Sequence, residues 1–356
     1  MSKPSEPFGS RSEAMETLER WLPRFLDGLS IARGQIALDQ VRSQVIAGQI
    51  DRLLALTCFD ESSPEHPIAA CLLLLPDNSS RPQPTTDLRR PPVNASDMPR
   101  SDTAVVIHAG SLKTLPPDVA SRVAQCLGNR IDRELQDRGI AFAQWATDDA
   151  TVEGNASSVE WCAPLGFEFL ANLQYMTLGI SDESASRPLE DQNRLQLRAV
   201  TQPEIPPNRQ FRDLVGATYH DTLDCPRLNA LRSVDQTLNG YRASPAFTPG
   251  LWFRVEEAGT ESSVGALILA HHRSENNVQE STGVMEIVYM GMVPAARGKR
   301  FGAELLAKAI AIARSEHCDR VILAVDRQNC HAKVLYEAAG FEPLLRETVW
   351  GRSLPG

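Results

Sequence analysis

The chain carries the same ending twice. SSVEWCAPLGFEFLANLQYMTL in the first half and HAKVLYEAAGFEPLLRETVW in the second each read as a helix, a Gly-Phe pair and a strand, with Gly166-Phe167 and Gly340-Phe341 about 174 residues apart. The elements before them also come in a similar order, which implies an internal duplication at domain length and not a short solenoid repeat. A length of 356 residues agrees, since it exceeds what one ordinary core supports and favours two domains.

Between MTLGI and RLQLRAV lies SDESASRPLEDQN, polar and without apolar period, which reads as a linker. The expected organisation is a degenerate domain over 15–182, a linker over 183–193 and a second domain over 194–356. The proline-rich stretch 76–102 falls between the strands IAACLLLL and TAVVIHAG, so it is expected to be a long surface loop within the first domain. The first dozen residues are expected to be disordered. Beyond the linker the order is a strand (194–200), one or two helices (208–242), strands at 251–257, 264–272 and 285–293, a helix (301–316), a strand (320–326), a helix (330–339) and a last strand near 344–351. Such interleaving implies an α/β fold, a mixed sheet with packed helices. In the helix from 301, Leu305, Leu306, Ala309, Ile310 and Ala313 form an apolar stripe, with Glu304, Lys308 and Arg314 on its far side.

Composition narrows the function classes. Hydrophobic content of 42% and charged content of 23% are those of a globular protein, and no apolar run is long enough to span a membrane. The N-terminus lacks a secretory layout, so a cytoplasmic protein is expected. Seven scattered cysteines without C-x-x-C support neither a disulfide framework nor a metal site. A net charge of −9 argues against a nucleic-acid binder and makes the locally basic RGKR stand out.

That segment follows the apolar strand MEIVYMGMV and Pro294 and opens the amphipathic helix. Gly298 and Gly302 relieve steric restriction where the backbone must turn tightly. The first N–H groups of the helix have no intrahelical partners and make an anion site, to which Arg297, Lys299 and Arg300 add charge. Thirty residues on, Asn329 is placed to cap a helix and Gly340 to end it.

These two elements resemble the GNAT superfamily of acyl-CoA-dependent N-acyltransferases. The cofactor loop Q/R-x-x-G-x-G/A reads here Arg297-Gly298-Lys299-Arg300-Phe301-Gly302, with Arg300 in place of the middle glycine, and Asn329, Ala332, Leu335, Tyr336, Gly340 and Phe341 match the later element. The resemblance covers 190–356 well; the first half keeps the strand order and has SLKTLPPDV where the second has the basic loop, which implies a tandem member with one competent half. It implies acetyl-CoA as co-substrate, held by Met292, Val293, the loop from Arg297 through Phe301 and Gly302 to Ala303, and Asn329 and Ala332, with an amine as acceptor and no metal. The molecule is expected to be a monomer or homodimer. Glu286, the only charge in its strand, is implied as the general base that frees the amine, where partial desolvation would raise its pKa. Tyr336 is implied as the acid that protonates the leaving thiolate. Tyr219, His220, Asp221 and Asp224, in the position of the family's acceptor-side helices, are candidates for acceptor contacts. His271 and His272 are expected to begin a solvent-exposed loop. A non-catalytic acyl-CoA sensor and a scaffold without cofactor are the alternatives.

Overall fold

The computed structural model describes residues 8–13, 31–76, 103–149, 156–180, 193–200, 209–242, 247–272 and 283–354. The long loop expected after residue 76 and nearly all of the linker lie outside these residues. Two compact units form, and each is built from both halves of the sequence: described residues up to 76, 103–171 and 347–354 make the first, and 172–346 the second.

In the first unit, β1 (Phe8–Glu13), β2 (Leu53–Asp60), β3 (Pro67–Leu74) and β4 (Thr103–Ser111) pair antiparallel in that order. β4 then pairs parallel with β5 (Phe142–Asp148), a pairing that needs a crossover, which α2 (Pro117–Asp137) supplies. Val123, Leu127, Ile131 and Leu135 of α2 pack with Leu54, Leu56 and Trp145 on one face of the sheet. On the other face, Ala37 and Val41 of α1 (Ile31–Ile46) pack with Ala55, Leu72 and Ile107. The short α3 (Ala156–Cys162) and a 3-10 turn at Ile50–Arg52 also belong to this unit. The N-terminal expectation is corrected in part, because Phe8–Glu13 is a strand. FGSRSE has no apolar period to reveal it; its order comes from the β2 ladder and from α2, whose Glu134 accepts a hydrogen bond from Ser12 Oγ at 2.6 Å.

The second unit repeats the arrangement. β7 (Leu195–Ala199), β8 (Phe247–Glu257), β9 (Ser263–His272) and β10 (Gly283–Met292) pair antiparallel, and β10 pairs parallel with β11 (Cys318–Asp326) by way of α7 (Phe301–Ser315). Each unit takes its next strand from the opposite half of the sequence. Residues 173–179 of β6 (Glu168–Gly179) pair antiparallel with β11 in the second unit, and Glu347–Ser353 of β12 (Glu342–Ser353) pair antiparallel with β5 in the first.

One face of the second sheet is covered by α7 and α8 (Cys330–Ala338), whose Leu305, Leu306, Ala309, Ile310 and Tyr336 share a core with Met285, Ile287 and Leu323. The other carries α4 (Arg209–Thr218) and α6 (Val234–Arg242), with Phe211, Val215 and Leu238 against Trp252 and Ile268; the short α5 (Pro226–Leu231) joins them in the chain. The apolar stripe of α7 is as expected, but its far side is not: the Glu304 side chain is only 2% exposed. It accepts a hydrogen bond from the backbone of Leu195 at 2.8 Å and pairs with Arg194 at 3.3 Å, and so fastens α7 to the start of β7.

Candidate active site

The second unit opens where two strands part. The parallel ladder between β10 and β11 ends at Ile287 and Leu323, although β10 runs on to Met292 and β11 to Asp326. A register shift between Ile287 and Tyr289 in the β9 pairing marks a bulge at the same point. Bulges bend and twist a strand locally, so β10 turns away from β11 there. Peptide groups along both inner edges beyond this point are not joined in the β10–β11 ladder.

The basic loop leaves the end of β10. Gly298 is left-handed at φ 76, and Arg300, which replaces the family's glycine, is left-handed too at φ 63. A tight turn is thus required at 300 whatever residue is there, and the arginine adopts it at a steric cost. The expectation for Gly302 is corrected: it lies inside α7 without a left-handed angle, and a Cβ there would meet only Leu335 Cδ2 at 3.4 Å, so the tight turn is made at Gly298 and Arg300. Arg300 is the residue before the helix and gives no side-chain cap, so the first-turn N–H groups, including those of Gly302 and Ala303, have no cap from it. Lys299 and Arg300 are exposed at this start. Phe301 is buried, with Arg194 5.1 Å and Lys299 5.8 Å from its ring centre, and anchors the helix.

Arg297 faces inward to the protein's own carbonyls. Its guanidinium donates to Met292 O (3.1 Å), Asp221 O (3.0 Å) and Thr218 O (2.9 Å), tying the end of β10 to the end of α4 and the turn after it. Val293 donates its N–H to Val264 O and accepts from Ala296 N–H, both at 2.9 Å. The backbone there is engaged in the ladder and in the turn that follows.

Glu286 projects from β10 on the face opposite Met285 and Ile287, and is 31% exposed. Its carboxylate lies 2.7 Å from Nε2 of His272. His271 and His272 are the last residues of β9, not the start of a loop; His271 is largely buried, and His272 is the direct neighbour of the implied base. Tyr336 lies on the α7–α8 face, 7% exposed, with its ring 5.9 Å from Phe341. Burial raises its phenol above the ordinary 10.0, and the charge of Asp224 adds to the effect, so the hydroxyl keeps its proton. Asn329 caps α8, accepting from Ala332 N–H at 3.2 Å, and Gly340 is left-handed at φ 92.

The four acceptor-side candidates divide. His220 and Asp221 are exposed on the turn after α4, with Asp221 left-handed at φ 52. Tyr219 is half-buried against Tyr289, ring centres 6.0 Å apart, and Tyr289 is hydrogen-bonded to Thr218. Asp224 accepts from the N–H of Asp326 at 3.2 Å, and burial holds its carboxyl above the usual range. Sequence reasoning missed Tyr289, His272 and Asp326. For the last, the one local signal is its place as the charge that closes the apolar run VILAV.

The comparisons fit this geometry. Residues 218–341 match the Acetyltransferase (GNAT) family. The mycothiol acetyltransferase of Beutenbergia cavernae is 36% identical over 66 residues, 18% of this chain and 22% of its own. That of Thermobispora bispora is 33% identical over 106 residues, 30% of this chain and 35% of its own. The matches thus span about a fifth to a third of the length of these curated relatives. A solved GCN5-related N-acetyltransferase from Sphaerobacter thermophilus has the same fold, with a TM-score of 0.50 at 14% identity over 100% of this chain and 98% of that one.

Proposed function

We propose that this protein, whose residues 218–341 match the Acetyltransferase (GNAT) family, moves an acetyl group from acetyl-CoA to a primary amine, and that its second unit does so. The observation that carries the reading is the parting of β10 from β11 beyond Ile287 and Leu323, with the loop 297–302 following the end of β10. A pantetheine arm fits between the strand edges, where peptide groups that the β10–β11 ladder leaves unjoined can meet its amides. The start of α7 suits the pyrophosphate, because uncapped N–H groups and the exposed Lys299 and Arg300 converge there. The first unit's corresponding helix, α2, is less suited: Pro116 precedes it and Pro117 opens its first turn, and proline has no N–H to offer. One acetyl-CoA per chain is therefore expected.

The thioester supplies an acyl carbon open to attack. Glu286 takes a proton from the amine, with His272 orienting its carboxylate, and the nitrogen bonds to the acyl carbon. Tyr336 gives its phenol proton to the departing sulfur as the carbon–sulfur bond breaks, and solvent restores both groups. The exposed backbone conformation of Arg300 supports this reading over a closed, cofactor-free scaffold. The relatives' name makes the free-amine form of mycothiol the first acceptor to try, within a wider panel of amino sugars, small amines and peptides.

Thiol release from acetyl-CoA against that panel tests the activity. Glu286→Gln is expected to lower turnover by roughly 100-fold while leaving acetyl-CoA affinity near that of the wild type. An unchanged rate and pH profile would remove Glu286 from the reaction.

A further inference from the structure

The turn between α4 and α5 is fastened at both sides of the opening. On one side Arg297 holds the carbonyls of Thr218 and Asp221 to the end of β10. On the other, two aspartates exchange backbone hydrogen bonds: Asp224 Oδ1 accepts from Asp326 N–H, and Asp326 Oδ2 accepts from Cys225 N–H, each at 3.2 Å. Asp326 Oδ1 also accepts from Gln328 N–H at 2.9 Å, two residues before α8 begins. Asp326 is 2% exposed, so both its oxygens lie inside the protein.

Placing two carboxylates together in a buried site is unfavourable unless hydrogen bonds to fixed donors hold them. Burial raises both pKa values, and each clasp bond pulls the other way. The arrangement also forces Cys225 into the left-handed region at φ 46, a conformation a side chain adopts only under constraint. What the clasp achieves is local. It seats Asp224 at the end of β11, where its charge acts on Tyr336.

We propose that Asp326 is a positioning residue for acyl transfer: through Cys225 N–H it holds the turn that carries Asp224 to the end of β11, and through Gln328 N–H it fixes the entry to α8, which carries the Tyr336 phenol. The inference rests on Tyr336 being the acid. An asparagine at 326 has one acceptor oxygen where the aspartate has two, so it can keep the Gln328 bond or the Cys225 bond but not both.

The test is a double-mutant cycle on the full chain, measured as thiol release from acetyl-CoA with the best amine of the panel, or with water if no amine reacts. Asp326→Asn is expected to lower kcat about tenfold with acetyl-CoA Kd within about twofold of wild type, as for a misplaced catalytic group. In a Tyr336→Phe background it is expected to lower kcat no further, because residues acting as one unit are not additive. Asp224→Ala removes the acceptor for Asp326 N–H, so it breaks the clasp from the turn and gives the same pattern if Asp326→Asn does not fold. An additive effect, an unchanged kcat, or a matching loss of acetyl-CoA affinity overturns the proposal. If Tyr336→Phe alone leaves turnover intact, or the wild type releases no thiol, the acyl-transfer reading of the site falls first and takes the proposal with it.

Discussion

Arg300 holds a backbone conformation that its own side chain opposes. At φ 63 a residue with a Cβ is strained, and glycine is not. Arg300→Gly is therefore expected to stabilise the fold by roughly 0.5–1 kcal/mol, and to weaken acetyl-CoA by about 1 kcal/mol through loss of one screened cation. Denaturant titration and calorimetry read the two effects separately; a destabilised variant would mean that the arginine side chain has a structural partner. Tyr336 offers a second test at this scale. Its folded pKa is raised, so the folded chain keeps a proton that the unfolded chain releases near pH 10. The stability it contributes is intact below pH 10 and is lost as pH rises beyond that value. Between pH 10 and 11, Tyr336→Phe should flatten the decline of unfolding free energy by about 1 kcal/mol, approaching the one-proton slope of about 1.4 kcal/mol per pH unit at higher pH. Equal slopes in urea denaturation series would show that the phenol is not held in this way.

At the level of elements, the site proposed in the second unit lies between strands that stop pairing and is braced by side chains reaching across it. Arg297 is the clearest brace, with three donors on three carbonyls. Lysine keeps the charge but not the planar fork. Arg297→Lys should cost about 1–2 kcal/mol of stability and lower turnover more than acetyl-CoA affinity, since the guanidinium's three bonds go to the protein's own carbonyls. If affinity falls alone and stability holds, Arg297 belongs to the phosphate site instead. The same contrast explains what the sequence made legible. The stripe of α7, the Asn329 cap and the left-handed Gly340 depend on neighbours within one or two turns, and local periodicity reports them. The burial of Glu304 depends on Arg194, and the clasp of Asp326 on Cys225, each about a hundred residues away. No local pattern carries such a pairing, so Glu304 read as a surface charge and Asp326 as the end of a strand.

On the scale of the whole molecule, the duplication is visible in sequence and its consequence is not. Hydrophobic period identifies a strand but not its partner, and the last strand of each half joins the unit mainly formed by the other. A cut at the polar segment between the halves would thus leave both units short of a strand. The C-terminal residues show how much depends on this. Thr348 and Val349 are buried in the first unit, Trp350 donates its indole N–H to Thr147 Oγ1 at 3.1 Å, and Arg352 binds Leu165 O and Asp132. These residues close β5, whose other edge already pairs with β4. A chain ending at Arg346 loses that ladder along with one large aromatic contact and a buried valine, a loss on the order of 5 kcal/mol at ~1.5–3 kcal/mol per large apolar side chain. Hydrogen exchange should then rise sharply in β5 and in α2, elements roughly two hundred residues upstream of the truncation, while Trp350→Ala alone gives a partial version of the same pattern. Unchanged protection in β5 after the truncation would show that the first unit folds without the strand it takes from the end of the chain.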